Sequence, residues 1–190
     1  MFKLTRKILS TIASLIIIIG AVVYYYINSS TDTKQVDNTK EIIIVKRVVD
    51  GDTFELSSGE KVRLLGIDTP EKYESKKLEK DVEAKGQDKK TIKKLGKLAS
   101  DYVKNFVEGK KVILEKEPNY EDKDRYGRLL RWVYLEDGTF VNGKIVKDGY
   151  AQVYEKFPVS KLDELRKYQK EAKDNNRGLW GPVDGLEQFK

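Results

Sequence analysis

Three short runs rich in β-branched residues follow one another near the start of the folded part of the chain. They begin at Ile42, Thr53 and Val62, and a Ser-Gly turn signal separates the last two. β-branched residues favour strands, and Ser-Gly pairs mark the turns between them. Residues 42–67 therefore predict a three-stranded meander.

Beyond the meander the pattern of apolar residues changes. They recur at helical spacing from Ile92 to Val107, and Gly109 supplies a stop signal, so one amphipathic helix is expected. Two further strands are expected over 112–114 and 128–135, the second ended by an Asp-Gly turn.

The last part of the chain predicts two more helices. A short one is expected over 142–148, because Gly149 supplies its stop. A longer one is expected to begin at the capping-box-like pattern Ser160-x-x-Asp163 and to end near Gly178.

The order of these elements indicates the fold class. Five strands with a helix between the third and fourth favour a small closed barrel of the OB type, because strands and helices do not alternate as a parallel sheet requires. We therefore expect an α+β domain, a five-stranded OB-fold barrel with three helices, over residues 41–181, followed by a tail over 182–190. The full length of 190 residues suits one such domain plus an appendage.

The first 28 residues have the composition of a membrane segment. Three basic residues precede the uncharged stretch from Ile8 to Ile27, which contains three consecutive tyrosines near its end. About 20 apolar residues match the hydrocarbon core of a bilayer, whereas a cleavable signal peptide usually has an apolar stretch of about 7 to 15. We expect a single-pass transmembrane anchor over 1–28, a polar linker over 29–40 and an extracytoplasmic domain. Secretion after signal cleavage is the alternative.

Composition excludes several kinds of chemistry. The chain contains neither cysteine nor histidine. It therefore has no disulfide, no thiolate zinc site, no cysteine nucleophile and no histidine base. The net charge of +6 is weak evidence for a polyanionic partner, because half of it belongs to residues 1–40. The charge-dense segment 72–90 is interpreted as a solvated loop rather than a dedicated binding element.

Two acidic motifs flank the predicted strands of the meander. One is Asp50-Gly51-Asp52, and the other is Asp68-Thr69-Pro70-Glu71. Each alone is typical of an ordinary turn. Together, the carboxylates of Asp52 and Asp68 and the carbonyl of Thr69 could meet around one cation. With no histidine or cysteine, such a site selects Ca²⁺ or Mg²⁺, and its mixed oxygen ligands suit Ca²⁺ better.

Two arginines accompany these carboxylates. Arg63 lies on a predicted strand, and Arg128 ends the turn Asp124-Arg125-Tyr126-Gly127-Arg128. Guanidinium groups match phosphate oxygens and neutralise charge that develops in a transition state. Arginines beside a cation therefore indicate a phosphodiester as the occupant of the site.

At this point the chain resembles a known family. The strings Val-Val-Asp-Gly-Asp-Thr, Arg-Leu-Leu-Gly-Ile-Asp-Thr-Pro-Glu and Asp-Arg-Tyr-Gly-Arg, in this order, are similar to three signature segments of the thermonuclease, or micrococcal (staphylococcal) nuclease-like, family. The likeness runs from about Ile44 to Trp180. It implies an OB barrel with three helices, Ca²⁺ dependence, and cleavage of DNA and RNA to products that end in a 3′-phosphate.

The resemblance also implies roles for individual residues. Asp52, Asp68 and the Thr69 carbonyl resemble the metal ligands of the family, with Asp50 close by. Arg63 and Arg128 resemble the pair that binds the phosphate, and Glu71 resembles the proposed general base.

Tyr126 and Tyr154 could stack on a nucleotide or pack within the barrel, and both alternatives stay open. DNA and RNA are likewise not distinguished, and a monomer is expected.

Three other functions fit parts of the sequence. A catalytically silent nucleic-acid-binding module would share the barrel, but the acidic and arginine positions all remain. A phosphatase with an aspartyl nucleophile would need a different position for Thr53 and alternating strands and helices. A membrane-linked structural or adhesion domain would explain the predicted anchor and none of the polar motifs.

Overall fold

The computed structural model describes residues 15–25, 42–86 and 88–182, except for the Lys85 side chain. The chain divides into two compact units between Thr39 and Lys40. In the first unit, residues 15–25 form helix α1.

The predicted membrane anchor reaches beyond α1 in both directions, so most of it lies outside the described residues. Within the described ranges, no helix has both the length and the apolar character needed to cross a bilayer. The predicted linker over 29–40 and the tail beyond 182 also lie outside the described residues.

The second unit is built around a barrel. The strands among its described residues are β1 (Ile42–Val48), β2 (Thr53–Leu56), β3 (Lys61–Leu64), β4 (Ile67–Asp68), β5 (Lys111–Glu115), β6 (Leu129–Leu135) and β7 (Gln152–Val153). Five of them close in the order β1-β2-β3-β6-β5. The pairs β1–β2 and β2–β3 are antiparallel, as the predicted meander requires, and β3 pairs with β6 in parallel. The prediction of a five-stranded OB-type barrel is confirmed.

The second unit also contains helices α2 (Lys76–Lys85), α3 (Lys89–Val107), α4 (Val141–Lys147) and α5 (Leu162–Asp174), and a 3₁₀ turn (Gly178–Trp180). Its described residues thus hold four α-helices where three were predicted. The fourth is α2, and it lies in the segment 72–90 that was interpreted as a loop. That interpretation is wrong for 76–85, and also for 89–90, which begin α3.

Local interactions explain why α2 forms despite its polar composition. The Ser75 side chain accepts a hydrogen bond from the amide of Leu78, which caps the first turn. Gly86 ends the helix with φ of 64°, a left-handed conformation that favours glycine. Leu78 is fully buried, so one apolar side chain anchors the helix to the domain.

The predicted capping box at the start of α5 is wrong. The N-cap residue is Lys161, and it makes no side-chain capping bond. Ser160 instead donates its amide and its hydroxyl to the carboxylate of Glu117, both at 2.8 Å. Asp163 pairs with Arg166 one turn later. A tertiary partner for Ser160 has therefore replaced the local cap.

The core fills the barrel and extends under α3, α4 and α5. Trp132 on β6 is fully buried and lies against the corner at Gly66. A β-carbon on Gly66 would approach Leu165 of α5 to 2.6 Å, so this corner admits only glycine. The tight contact holds the end of β3 and the start of β4 against α5.

One buried polar side chain joins α4 to this corner. Asn142 is fully buried; its amide donates to the Leu65 carbonyl at 2.9 Å, and its oxygen accepts from the Val133 amide at 3.0 Å. The Leu65 carbonyl and the Val133 amide are thus hydrogen-bonded to Asn142, which replaces the water that would bind them at the surface.

We expect Asn142→Ala to lower the free energy of unfolding by about 3 kcal/mol, because each buried group left unsatisfied costs roughly 1–3 kcal/mol. Urea unfolding followed by circular dichroism measures the change. Asn175→Ala is the control, since Asn175 is exposed and bonds only to a carbonyl at the end of α5. The control should lose less than about 1 kcal/mol. Equal losses in both variants would contradict this account of Asn142.

Candidate active site

Arg63 lies between two carboxylates. Its Nη1 is 3.2 Å from Oδ2 of Asp52, and its Nη2 is 3.2 Å from Oδ1 of Asp68. The pairing of β2 with β3 places Arg63 opposite Thr53, next to Asp52 in the chain. The structure thus brings together the predicted phosphate-binding arginine and both predicted metal-binding carboxylates.

Both carboxylate oxygens and the amide of Asp52 are hydrogen-bonded to nearby residues. Its Oδ2 accepts from the Thr69 amide at 3.1 Å, its Oδ1 accepts from the Thr53 hydroxyl at 3.1 Å, and its own amide donates to Asp50. A β-carbon on Gly51 would approach the Thr69 side chain to 2.7 Å. The Asp-Gly-Asp turn therefore needs glycine in its middle to lie against Thr69.

A second small sheet, which the sequence did not predict, fixes the backbone of Asp68. Strand β4 pairs with β7, and Asp68 lies opposite Gln152. The amide of Tyr154 adds a hydrogen bond to the Gly66 carbonyl at 2.9 Å. Tyr154 thus contributes its backbone to this part of the site. The centre of its ring lies 6.0 Å from that of Phe157.

A lysine that the sequence analysis did not single out completes the cluster. Nζ of Lys77, on the first turn of α2, lies 3.0 Å from Oδ1 of Asp68 and 2.8 Å from the Thr69 carbonyl oxygen. Both oxygens belong to the predicted metal-ligand set. The ammonium was missed because 72–90 was interpreted as a loop, although Ser75 is a residue type that favours the N-cap of a helix.

Burial and neighbouring charges both shift the pKa values of these groups, often in opposite directions. Burial and the nearby Asp52 charge raise the pKa of Asp50 to about 7. Burial also raises the pKa of Asp68, against the attraction of Lys77 and Arg63. Burial opposes ionisation of Asp52 too, but Arg63, Lys77 and the Thr69 amide together lower its pKa. For Lys77 burial favours the neutral form, yet Asp68 and Asp52 raise its pKa.

These residues fit a hard cation. The groups that converge are carboxylate and carbonyl oxygens, which are the ligands that Ca²⁺ prefers. The Lys77 ammonium, bonded to Asp68 and Thr69, shows that positive charge is stabilised at this place. Within the described ranges, no cluster of three or more acidic, histidine or cysteine side chains has the geometry of a metal site. The candidate set is two carboxylates and one backbone carbonyl.

The second arginine is oriented by an aspartate four residues earlier. Nε and Nη2 of Arg128 lie 2.8 and 2.7 Å from Oδ2 of Asp124, whose other oxygen accepts from the amides of Tyr126 and Arg128. Nη1 of Arg128 reaches the Thr53 hydroxyl at 3.3 Å. Thr53 thereby links Arg128 to Asp52. Neither Asp124 nor Thr53 was predicted to have a role, although a carboxylate in the turn before Arg128 is visible in the sequence.

Glu71 is bonded to the start of α2. One of its oxygens accepts from the amides of Lys72 and Tyr73 at 3.1 and 3.3 Å, and the other from the Ser75 hydroxyl at 3.2 Å. The predicted base is thus tied to the same helix turn that carries Lys77.

Tyr126 stays exposed beside the arginines. Its side chain is largely open to solvent, and the guanidinium carbons of Arg125 and Arg128 lie 4.8 and 5.5 Å from its ring centre. Tyr126 is therefore not packed in the core, and its stacking on a nucleotide stays a prediction.

The fold and the cluster define a class of protein: a small OB-type barrel that brings two arginines, Arg63 and Arg128, together with buried carboxylates. Comparison with known proteins agrees. Residues 61–182 match the family of staphylococcal nuclease homologues, and the chain belongs to that family. The resemblance stated from the motifs is confirmed at this level. The Asp50-Gly51-Asp52 motif precedes the matched range.

Individual relatives cover different shares of their own length. A thermonuclease of Staphylococcus intermedius is 33% identical over 181 residues, which are 92% of this chain and 98% of the relative. An uncharacterised endonuclease of Escherichia coli O157:H7 is 36% identical over 143 residues, 74% of this chain and 77% of the relative. Endonuclease YhcR of Bacillus subtilis (strain 168) is 37% identical over 151 residues, but the match spans only 12% of its length.

The position of Glu71 depends on a close approach of α3. A β-carbon on Gly96 would lie 2.6 Å from the Pro70 carbonyl oxygen and 2.7 Å from the carbonyl carbon of Glu71. We expect Gly96→Ala to lower the free energy of unfolding by about 1–3 kcal/mol through this clash. Helix propensity alone predicts the opposite sign, a gain of about 1 kcal/mol.

Urea unfolding distinguishes the two effects. Lys97→Ala, on the exposed side of the same helix, is the control and should change stability by less than about 0.5 kcal/mol. A stabilised Gly96→Ala variant would show that α3 does not press on the Pro70-Glu71 backbone.

Proposed function

We propose that the protein is a Ca²⁺-dependent endonuclease that hydrolyses phosphodiester bonds in DNA, RNA or both. The observation that carries the proposal is the joint placement of Arg63 and Arg128 around Asp52, through a direct ion pair and the Thr53 hydroxyl. Family membership supports it, as do relatives named thermonuclease and endonuclease.

The two arginines bind the phosphate and neutralise charge that develops on it. Each guanidinium is held by carboxylates, Arg63 by Asp52 and Asp68 and Arg128 by Asp124. Preorganised donors of this kind need little rearrangement when the reaction begins, which is the main advantage of an enzyme site over water.

Asp52, Asp68 and the Thr69 carbonyl would hold the Ca²⁺ ion, with Asp50 alongside. When bound, the ion supplies a Lewis acid that polarises the phosphodiester. The protein groups set its position, because Asp52 and Thr69 are joined to each other by the Thr69 amide and by the packing of Gly51.

Glu71 acts as the general base or orients the water. Its donors are two backbone amides and the Ser75 hydroxyl, which hold the carboxylate beside the first turn of α2. The water attacks phosphorus in line with the bond to the 5′ oxygen, that bond breaks, and Glu71 takes the proton of the water while the leaving 5′ oxygen takes a proton from solvent. The products then carry a 3′-phosphate and a 5′-hydroxyl.

The test is release of acid-soluble nucleotide from single-stranded DNA and from RNA by the purified chain, with Ca²⁺, with Mg²⁺ and with chelator. We expect activity only with Ca²⁺. Glu71→Gln and Arg63→Ala should each lower the rate by about 10²-fold or more, because each removes a proton acceptor or a charged donor from the transition state. Arg166→Ala, an exposed arginine that pairs with Glu155 and Asp163, is the control and should keep full activity.

A binding measurement on the same variants separates the competing function. Glu71→Gln should still bind single-stranded DNA while it fails to cut. If the unaltered protein binds the strand and cuts it with none of the ions, the protein is a nucleic-acid-binding module, and the catalytic proposal is wrong.

A further inference from the structure

Lys77 lies in the first turn of α2, where the dipole of the helix disfavours a positive charge. Lys76 and Lys77 occupy the first two positions, and the acidic residue of the first turn is Glu79. The amino end of a helix has partial positive charge, so a lysine there is destabilising unless another group compensates. For Lys77 the compensation is present in Asp68 and the Thr69 carbonyl.

The partners of Lys77 are two of the three proposed metal ligands. Ca²⁺ binds oxygen at about 2.3–2.6 Å, so an ion on Asp68 and Thr69 would need the space and the lone pairs that the ammonium uses. An ammonium and a divalent ion also repel each other at such short range. The ammonium and the ion would therefore compete for these oxygens.

Lys77 is able to leave the site. Its side chain is 38% exposed on a flexible stem, while the neighbouring Leu78 is fully buried and anchors α2 independently of the ammonium. Removal of the ammonium therefore requires rotation of one side chain and does not require α2 to unfold.

We propose that Lys77 is an internal competitor for the metal, which occupies the Asp68 and Thr69 oxygens when Ca²⁺ is absent and is displaced when Ca²⁺ binds. This inference rests on the proposed function, because it takes these oxygens to be metal ligands. Apparent Ca²⁺ affinity is then lower than the ligands alone would give, since each binding event must break the contacts of Lys77. Without Ca²⁺, the Lys77 ammonium neutralises the Asp68 carboxylate.

The test is direct measurement of Ca²⁺ affinity by isothermal titration calorimetry on the full chain, without nucleic acid. Lys77→Met removes the competitor and should tighten Ca²⁺ binding by about tenfold or more, the range expected for loss of a charge-assisted hydrogen bond. Lys77→Gln, which keeps a polar side chain without charge, should tighten it similarly. Lys80→Met removes one positive charge from an exposed position of the same helix and should change affinity by less than about threefold.

Thermal unfolding gives a second readout. In chelator, Lys77→Met and Lys77→Gln should melt below the unaltered protein, because Asp68 loses its ammonium. Saturating Ca²⁺ should remove that difference. If Lys77→Met without Ca²⁺ is unfolded at the temperature of the calorimetry, Lys77→Gln is used for the affinity comparison.

The outcomes separate the two proposals. Equal Ca²⁺ affinities in all four proteins, with Ca²⁺-dependent cleavage intact, would overturn the role of Lys77 and leave the proposed function standing. Absence of Ca²⁺ binding, together with cleavage in chelator that requires Lys77, would overturn both the competition and the Ca²⁺ dependence, and would make Lys77 the working cation of the site.

Discussion

The bridge from Asp52 through Arg63 to Asp68 is the interaction on which the rest of the site depends. The Arg63 and Asp52 side chains are mostly buried, so each charge has little water to stabilise it. A buried ion pair contributes little net stability, but loss of one partner leaves an uncompensated charge and costs several kcal/mol. Here the loss of Arg63 would leave two carboxylates facing each other. Stability of the domain and the proposed binding of a phosphate therefore depend on the same guanidinium, and substitutions of Arg63 need a measurement of folding beside any measurement of rate.

Close backbone contacts hold this bridge in place. Gly51 lies against Thr69, Gly66 against Leu165, and Gly96 against the Pro70-Glu71 backbone. The contacts of Gly66 and Gly96 join segments next to proposed site residues to helices α5 and α3, and the contact of Gly51 joins two segments that both carry such residues. A site built this way tolerates change poorly at residues that never touch a ligand, because a single added methyl group moves a carboxylate. The polar residues alone do not define the site; the glycines determine where those residues lie.

Much of this arrangement could be predicted from the sequence. β-branched runs with turn signals predicted the meander, and the meander places Arg63 beside Asp52 because neighbouring antiparallel strands share a register. Helix α2 was missed because its stability comes from the Ser75 cap and one buried leucine rather than from an apolar face. The sheet of β4 and β7 was missed because each strand has two residues, too few for any alternation to be visible. Ser160 had the local pattern of a cap, but a distant carboxylate, Glu117, is its partner.

The missed helix is also what connects the two halves of the proposed chemistry. Its first turn bonds to Glu71 through Ser75 and to Asp68 through Lys77. A displacement of Lys77 removes a positive charge from beside Asp68, on the turn whose Ser75 hydroxyl also bonds to Glu71. The proposed base and the proposed cation site are thus both bonded to the first turn of α2. The charged segment 72–90, which was interpreted as a loop, therefore contains the lysine that the proposed cation would displace.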